Sequence, residues 1–215
     1  MAIEPTLRDA LSAVTTASLA RALTRAGVKA FSPRGLPGRG GSAIGPAYTL
    51  RMIPARGEAV GDLAAAIDAI PDGAVVVIDA AGSGLALPFG SILAARLAQR
   101  GAAGLVTDGA LPDEVGLPVW SAAEAASGTL ALVGTQQPVS CGGAAIHPGD
   151  IVVCGDGGIV ALPADLAEQV ALEAVEQQRL DLWIQREVEK GGSLANLLPP
   201  DAAALARFEA ETKPA

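Results

Sequence analysis

The pattern with the clearest chemical meaning is a loop that opens a helix directly after a buried strand. Gly90, Ser91, Ile92 and Leu93 begin the segment that follows an apolar strand ending at Ile78. The first amides of a helix have no acceptor within the helix, and the helix dipole favours negative charge there. These four residues are therefore candidates for binding a carboxylate, and the glycine allows a ligand to approach the backbone closely.

A second candidate, Asp113, follows the next strand along the chain, residues 104–107. Because the carboxyl ends of neighbouring parallel strands lie at the same edge of a sheet, Asp113 and the amides of 91–93 can face one cavity. A carboxylate ligand would sit on the amides while Asp113 holds a hard divalent cation. The plainer alternative is a helix terminus satisfied by water beside a solvated aspartate.

Several other kinds of active site are disfavoured by what the chain lacks. His147 is the only histidine, and the Pro-Gly-Asp that follows it predicts a turn. A serine triad would depend on that same residue, and no G-x-S-x-G motif occurs. There is no Walker A loop, and Gly82-x-Gly84 lacks the third glycine of a dinucleotide-binding fingerprint.

The positions of the lysines further limit the reaction mechanisms that the chain could support. The lysines are Lys29, Lys190 and Lys213, and none lies on a predicted central strand, where an apolar setting could lower its pKa for Schiff-base chemistry. A carbon–carbon lyase built on this chain should therefore use a metal ion as its electron sink.

The composition excludes whole classes of protein. The 215 residues carry a net charge of −8 and only 3% aromatic side chains, which argues against a nucleic-acid partner. Half of the residues are hydrophobic, which argues against disorder. No apolar run approaches the roughly 20 residues of a membrane span, so we expect no membrane partner. The apolar excess predicts either an Ala-rich α/β core or a surface buried against copies of the same chain.

Two features bear on the cellular compartment. The first ten residues contain Glu4, Arg8 and Asp9 where the apolar part of a secretory signal would begin. Cys141 and Cys154 are the only cysteines, and we expect both to be small buried side chains. Together these predict a reduced, cytoplasmic protein.

The elements that must position the candidate residues follow from periodicity and turn signals. Residues 6–27 predict one helix, and 47–53 predict a strand. Strand 74–78, a glycine loop, helix 91–100 and strand 104–107 predict a parallel βαβ unit. Short strands with turn signals after Gly128 predict a mixed or antiparallel layer, and residues 163–190 predict one long helix. A short helix and a tail should follow. We expect a single domain over 1–215, with a core of 11–191 and a C-terminal helix and tail of 192–215.

Several ordered motifs resemble a known family. The segment 90–113 reads GSILAARLAQRGAAGLVTDGALPD, preceded by Gly45-Pro-Ala-Tyr-Thr49 and followed by 148–163 with its Pro-Gly-Asp lead and VVCGDGGIVALP end. Arg186-Glu187 before Gly191 looks like the end of a long C-terminal helix. These segments are similar to the core of the 4-hydroxy-4-methyl-2-oxoglutarate aldolases and the regulators of ribonuclease activity A, the RraA-like family.

The resemblance carries a set of expectations. It implies a swivelling β/β/α domain with N- and C-terminal helices, assembled as a trimer or a dimer of trimers with active sites between subunits. The family's enzymes are metal-dependent pyruvate aldolases that often decarboxylate oxaloacetate. Mg²⁺ or Mn²⁺ would bind through Asp113, and a small 2-oxo acid would place its carboxylate on Gly90–Leu93. Glu187 from a neighbouring subunit would act at the metal site.

One position departs from the family pattern. The aldolases carry an arginine directly before the metal aspartate, whereas this chain has Pro112, which offers no donor. Loss of one preorganised donor typically costs on the order of 10²–10³ in rate. Two hypotheses follow: a metal-dependent lyase in which Arg34, Arg51 or Arg96 replaces the missing group, and a non-catalytic or repurposed binding or regulatory protein on the same trimer.

Overall fold

A computed structural model describes residues 3–29, 31–57, 61–111, 115–122 and 125–212. The helices are α1 (Pro5–Ser12), α2 (Thr16–Arg25), α3 (Leu63–Asp68), α4 (Gly90–Gln99), α5 (Ala167–Glu189), α6 (Leu194–Leu197) and α7 (Ala202–Thr212). The strands are β1 (Gly38–Arg39), β2 (Ala43–Pro54), β3 (Val75–Asp79), β4 (Gly104–Ala110), β5 (Val119–Ala122), β6 (Leu130–Thr135), β7 (Val139–Cys141), β8 (Ala144–Ile146), β9 (Ile151–Gly155) and β10 (Gly158–Leu162).

The strand β2 connects two parts of the sheet. Its middle pairs with β3 in parallel, and β4 and β5 continue that parallel sheet. Its first residues, 43–46, pair with β9 in the antiparallel sense, while residues 50–54 pair with β6. The predicted parallel βαβ unit, β3–α4–β4, is thereby confirmed.

The layers follow from the alternation of side chains along buried strands. On β3, Val76 and Ile78 face a cluster shared with α3 and α4. Val75 and Val77 face the opposite cluster, which β7–β10 complete. The other face of β9 and β10 packs on α1, α2 and α5. The expected β/β/α arrangement with flanking helices is confirmed.

The single helix predicted over 6–27 is wrong, because the chain breaks at 13–15 into α1 and α2. The Thr15 hydroxyl accepts a hydrogen bond from the amide of Ser18 at 3.1 Å, which caps the second helix. Its own amide donates to Gln178 of α5 at 2.8 Å. A side-chain cap of this kind offers the backbone an alternative to a continuous helix. Gly27 ends α2 with φ +79°, as the sequence predicts.

The C-terminal region is more ordered than a short helix and a tail. Helices α6 and α7 fold back on the end of α5, and Trp183, Ile184, Leu197 and Ala204 form a separate apolar cluster. The Trp183 indole donates to Glu211 of α7 at 2.8 Å. Both cysteines are buried and unbridged, as expected. Over the part of the chain that the structure describes, no helix is long and apolar enough to cross a bilayer.

We expect Gly45→Ala to destabilise the protein by about 2 kcal/mol or more, because an added methyl is an overpacking change in a dense region. A Cβ at this position would lie 2.2 Å from the carbonyl oxygen of Gly73. Denaturant unfolding measures the change. Gly155→Ala is the matched control, since no atom lies within 4 Å of the point that its methyl would occupy. Equal stability of the two variants would contradict this account of β2.

Candidate functional site

The loop that leads from the carboxyl end of β3 into α4 forms hydrogen bonds with the carboxyl end of β4. The Leu87 amide donates to the Ala110 carbonyl at 2.9 Å, and the Ala110 amide donates to Leu85 at 2.9 Å. The loop thus extends the sheet alongside the last residue of β4. The start of α4 and the end of β4 therefore lie at the same edge of the sheet.

The start of α4 is an unusual turn. Phe89, directly before the helix, has φ +62° although it is not a glycine, and its side chain is 71% exposed. The Gly90 amide donates to Leu87 at 3.3 Å and the Ile92 amide to Phe89 at 2.9 Å. Two of the four predicted binding residues thus already use their amides within the turn, and exposed Ser91 lies between them. Leu93 is buried beneath the helix.

The predicted metal ligand, Asp113, lies outside the described residues, as does Pro112. The described chain reaches Leu111, which is buried and packs in the cluster beneath α4. The roles given to Asp113 stay predictions.

Two buried acids at the same edge escaped the sequence analysis. The Asp108 carboxylate accepts from the amide of Ala80 at 2.6 Å and from that of Gly82 at 3.1 Å. Asp79 accepts from the amide of Ala81 at 2.8 Å and from that of Ser140 at 3.3 Å. Both acids thus hold the glycine loop in place. The sequence feature that could have identified them is an aspartate at or near the end of a fully buried strand.

Burial raises the pKa of Asp108 above its ordinary value, and the charge of Asp79 raises it further. Hydrogen bonds from the amides of Ala80, Gly82 and Gly142 act against this by stabilising the carboxylate. Burial is the largest of these effects.

The donor set for a metal is small. Within the described ranges, no three or more His, Cys, Asp or Glu side chains are arranged so that they could hold a metal ion. The carboxylate oxygens of Asp79 and Asp108 accept hydrogen bonds from backbone amides. His147 is an exposed turn residue whose amide donates to Asp150, as predicted. The described residues thus provide no complete ligand set for a cation at this edge.

An arginine that the sequence analysis did not select reaches this edge. Arg39 of β1 donates through Nη1 to the Ser121 hydroxyl at 3.3 Å and through Nη2 to the carbonyl of Leu111. Both partners lie more than 70 positions further along the chain, so no local motif signals the contact.

The arginines that were considered lie elsewhere. Arg96 is on the outer face of α4 and pairs with Asp68 of α3 at 2.7 Å. The side chains of Arg34 and Arg51 are exposed, the first on the loop before β1 and the second on β2. Arg96 thus has the solvent-facing position that its helix predicts.

Glu187 lies in the C-terminal cluster. Its carboxylate pairs with Lys190 at 2.9 Å and with Arg207 of α7 at 2.7 Å. The hydrogen bond and charge of Lys190 lower its pKa, and Arg207 adds to this. None of the described polar contacts joins Glu187 to residues 89–93 of the same chain, so its predicted role depends on a neighbouring subunit.

An apolar groove of about 230 Å³ runs between α3 and α4, beside the candidate site. Its walls include Leu63, Ile67 and Leu93. Phe89 and Ile92 border it and are 71% and 72% exposed. Two large apolar side chains exposed beside one groove are a feature that protein contact faces share.

Comparison with known proteins matches the chain to one protein family and to several solved structures. A model of the RraA-like family, described as Aldolase/RraA, matches residues 6–161. The structure of Streptomyces coelicolor RraAS2, described as an unusual member of the RNase ES inhibitor RraA protein family, is 28% identical, with a TM-score of 0.76 over 86% of this chain and 98% of that one.

Two further structures share the fold. An uncharacterized protein from Pseudomonas syringae pv. tomato is 25% identical, with a TM-score of 0.77 over 91% of this chain and 94% of that one. A Geobacillus kaustophilus protein described as an S-adenosylmethionine:2-dimethylmenaquinone methyltransferase is 22% identical, with a TM-score of 0.55 over 69% of this chain and 97% of that one. The second likeness shows the fold alone.

We expect the stability difference between wild type and Asp108→Asn to depend on pH. Because the pKa of Asp108 is raised in the folded state, the folded protein binds more protons than the unfolded chain between the ordinary value of 3.8 and the raised one. The contribution of Asp108 to stability is therefore greatest at low pH and falls as the pH rises through this window.

Denaturant unfolding of both proteins between about pH 4 and about pH 7 measures the effect. The variant should also lose about 1–3 kcal/mol at every pH, because an amide NH₂ cannot accept from Gly82. A difference that stays constant, or grows with pH, would contradict the assignment.

Proposed function

This chain belongs to the RraA-like family, and on that premise we propose that it is a divalent-metal-dependent lyase. Its substrate would be a small 2-oxo acid, such as a 4-hydroxy-2-oxo acid or oxaloacetate, and pyruvate would be released by retro-aldol cleavage, decarboxylation or both.

The observation that carries the proposal is the junction of the α4 loop with the end of β4. The paired bonds of Leu85 and Leu87 with Ala110 bring the start of α4 beside the strand that leads to Asp113. A carboxylate-binding terminus and a metal-binding carboxylate at one edge are the two elements that a metal-dependent 2-oxo acid lyase needs.

Each predicted site residue has a separate role in this proposal. The backbone of Gly90–Leu93 would bind the substrate carboxylate, and Ser91 within this segment is exposed. A ligand on Gly90 or Ile92 shares amides that also close the turn. Asp113 would hold Mg²⁺ or Mn²⁺, which when bound would supply positive charge that stabilises the negative charge developing on the substrate's 2-oxo oxygen as the carbon–carbon bond breaks.

Glu187 of a neighbouring subunit would complete the site. Its pKa is lowered by Lys190 and Arg207, so the group is an ionised carboxylate at neutral pH and can accept a proton or a hydrogen bond. Its contacts with Lys190 and Arg207 fix the side chain, which favours a positioned group over a mobile one.

We further propose that the protein assembles as a homotrimer or as a dimer of trimers. The support is the apolar groove at α3 and α4, where Phe89 and Ile92 expose most of their surface. An interface there would cover these side chains and place the start of α4 next to another subunit.

A second function is favoured by Pro112. A proline in place of the family arginine removes a donor from the site, and RraAS2, similar over most of the chain, is described as an RNase inhibitor-family member. On this alternative, the protein is a non-catalytic binding or regulatory trimer that takes up no metal.

We expect the wild type with Mg²⁺ or Mn²⁺ to release pyruvate from oxaloacetate or a 4-hydroxy-2-oxo acid, followed by a coupled assay. Asp113→Asn should lower turnover by about 100-fold or more, because a preorganised group at the reacting centre is lost. EDTA should abolish turnover, and added metal should restore it. Asp165→Asn, an exposed aspartate before α5, is the control and should behave as wild type.

The same preparation separates the two functions. Calorimetric uptake of Mn²⁺ together with turnover supports the lyase. Neither uptake nor turnover would reject the lyase and leave the regulatory alternative. Turnover that survives in Asp113→Asn would reject the metal-binding role of Asp113.

We expect light scattering to give three or six times the chain mass of 21.4 kDa. Ile92→Glu should shift the mass toward that of one chain, because a charge would be buried in the interface. The protomer should stay folded, since an acidic residue is favourable in the first turn of a helix. Ala95→Glu, exposed on α4 but outside the groove, is the control. A monomeric wild type would contradict the proposed assembly.

A further inference from the structure

The carboxylate of Glu187 is held from two sides, by its own helix and by α7. Its side chain is only 11% exposed, although it lies near the end of α5. One oxygen accepts from the ammonium of Lys190 at 2.9 Å, and the other accepts from the guanidinium of Arg207 at 2.7 Å. Each oxygen of an ionised carboxylate can accept about two hydrogen bonds, so these contacts fix the group without filling it.

Arg207 is itself held by a buried residue of α5. Its guanidinium carbon lies 5.3 Å from the centre of the Trp183 ring system. The Trp183 indole donates to Glu211, one turn further along α7, and its ring meets that of Phe208 edge-on at 5.9 Å. A planar guanidinium stacked on a fixed ring has little freedom to turn. The contacts of α7 with Trp183 therefore set where Arg207 lies.

The pair of Arg207 with Glu187 contributes more to orientation than to stability. The Arg207 side chain is 53% exposed, and ion pairs at a surface contribute little to the free energy of unfolding. Lys190 supplies a point charge on a flexible stem, whereas a guanidinium is planar and directional. Arg207, rather than Lys190, thus fixes the direction in which the carboxylate points.

We propose that Arg207 is a positioning residue, which holds Glu187 in the orientation in which it acts at the site of a neighbouring subunit. This rests on the lyase function and the subunit arrangement proposed above. Helix α7 then has a part in the reaction of a subunit to which it does not belong, in addition to covering the apolar cluster at the end of α5.

The test measures kcat and KM of the full-length protein for oxaloacetate with Mg²⁺. Arg207→Gln should lower kcat by about 10-fold or more, because a reacting group that is misplaced by about 1 Å can cost about 100-fold. KM should change by less than about twofold, since the substrate binds to α4 and to the metal rather than to Glu187. Arg207→Lys should recover part of kcat, because it restores the charge without the planar fork.

Arg179→Gln is the matched control. Arg179 of α5 donates to the carbonyl of Thr212 at 2.8 Å and so also joins α5 to α7. Its ion pair is with Glu176, not with Glu187. This variant should keep the kcat of the wild type. An equal loss of kcat in Arg179→Gln and Arg207→Gln would mean that only the docking of α7 matters, and it would overturn the proposal.

Mixed assemblies test whether Arg207 acts across the subunit boundary. Arg207→Gln and Asp113→Asn chains that carry different tags are co-expressed and purified through both tags. Some sites then combine Asp113 of the first chain with Glu187 and Arg207 of the second. Turnover above the mean of the two variants measured separately supports the proposal, and turnover at or below that mean overturns it.

The outcomes also separate this proposal from the function on which it rests. If Arg207→Gln does not fold by circular dichroism, Arg207→Lys decides: a lowered kcat with unchanged KM supports the proposal, and a wild-type kcat overturns it. An active wild type whose kcat is unchanged in Arg207→Gln refutes the role of Arg207 alone. A wild type without turnover refutes the lyase function, and this proposal with it.

Discussion

The carboxylate of Asp108 accepts hydrogen bonds from the amides of Ala80 and Gly82, and the geometry of the candidate site depends on where those bonds hold the loop. Glycine loops lose much conformational entropy when they are ordered. The amides of such a loop also need acceptors once the chain is folded. Asp108 and Asp79 meet both requirements from the ends of adjacent strands. The loop is thereby placed against Ala110, and α4 begins where the strand edge is open.

The two acids at this edge have a structural role, because they order the glycine loop, and they also affect which ligands can bind there. The acids that order the loop also repel an acidic ligand, so a binding site for one requires cations or backbone dipoles nearby. The start of α4 and the metal proposed at Asp113 are of these kinds. The acidity of the whole chain does not create the site, because what matters there is a few fixed groups at short range.

The elements of the parallel unit could be predicted because their signals are local. Strand Val75–Asp79 is continuously apolar up to its last residue, and α4 is bounded by Gly90 and Gly101. The break before α2 has a local signal in the Thr15 cap on Ser18, but it is also stabilised by a bond from the Thr15 amide to Gln178, 163 positions away, which no local pattern indicates. Arg39 escaped for the same reason, since its partners join it only through the pairing of β1 with β5. Asp113 was selected from its position after a strand and from the family resemblance, whereas Glu187 came from the resemblance alone. Their predicted roles rest on a metal and a second subunit.

The strand β2 has a consequence for how the protein forms on the ribosome. Residues 43–46 pair with β9, whose residues 151–155 lie more than 100 positions further along the chain. Closing so long a loop costs entropy before any contact repays it, and folds dominated by distant pairings form slowly. The inner layer therefore stays incomplete until most of the polypeptide has been synthesised. Chains that stop short of β9 leave the apolar face of β3 and β4 without its partner layer, and exposed surface of this kind is prone to aggregate.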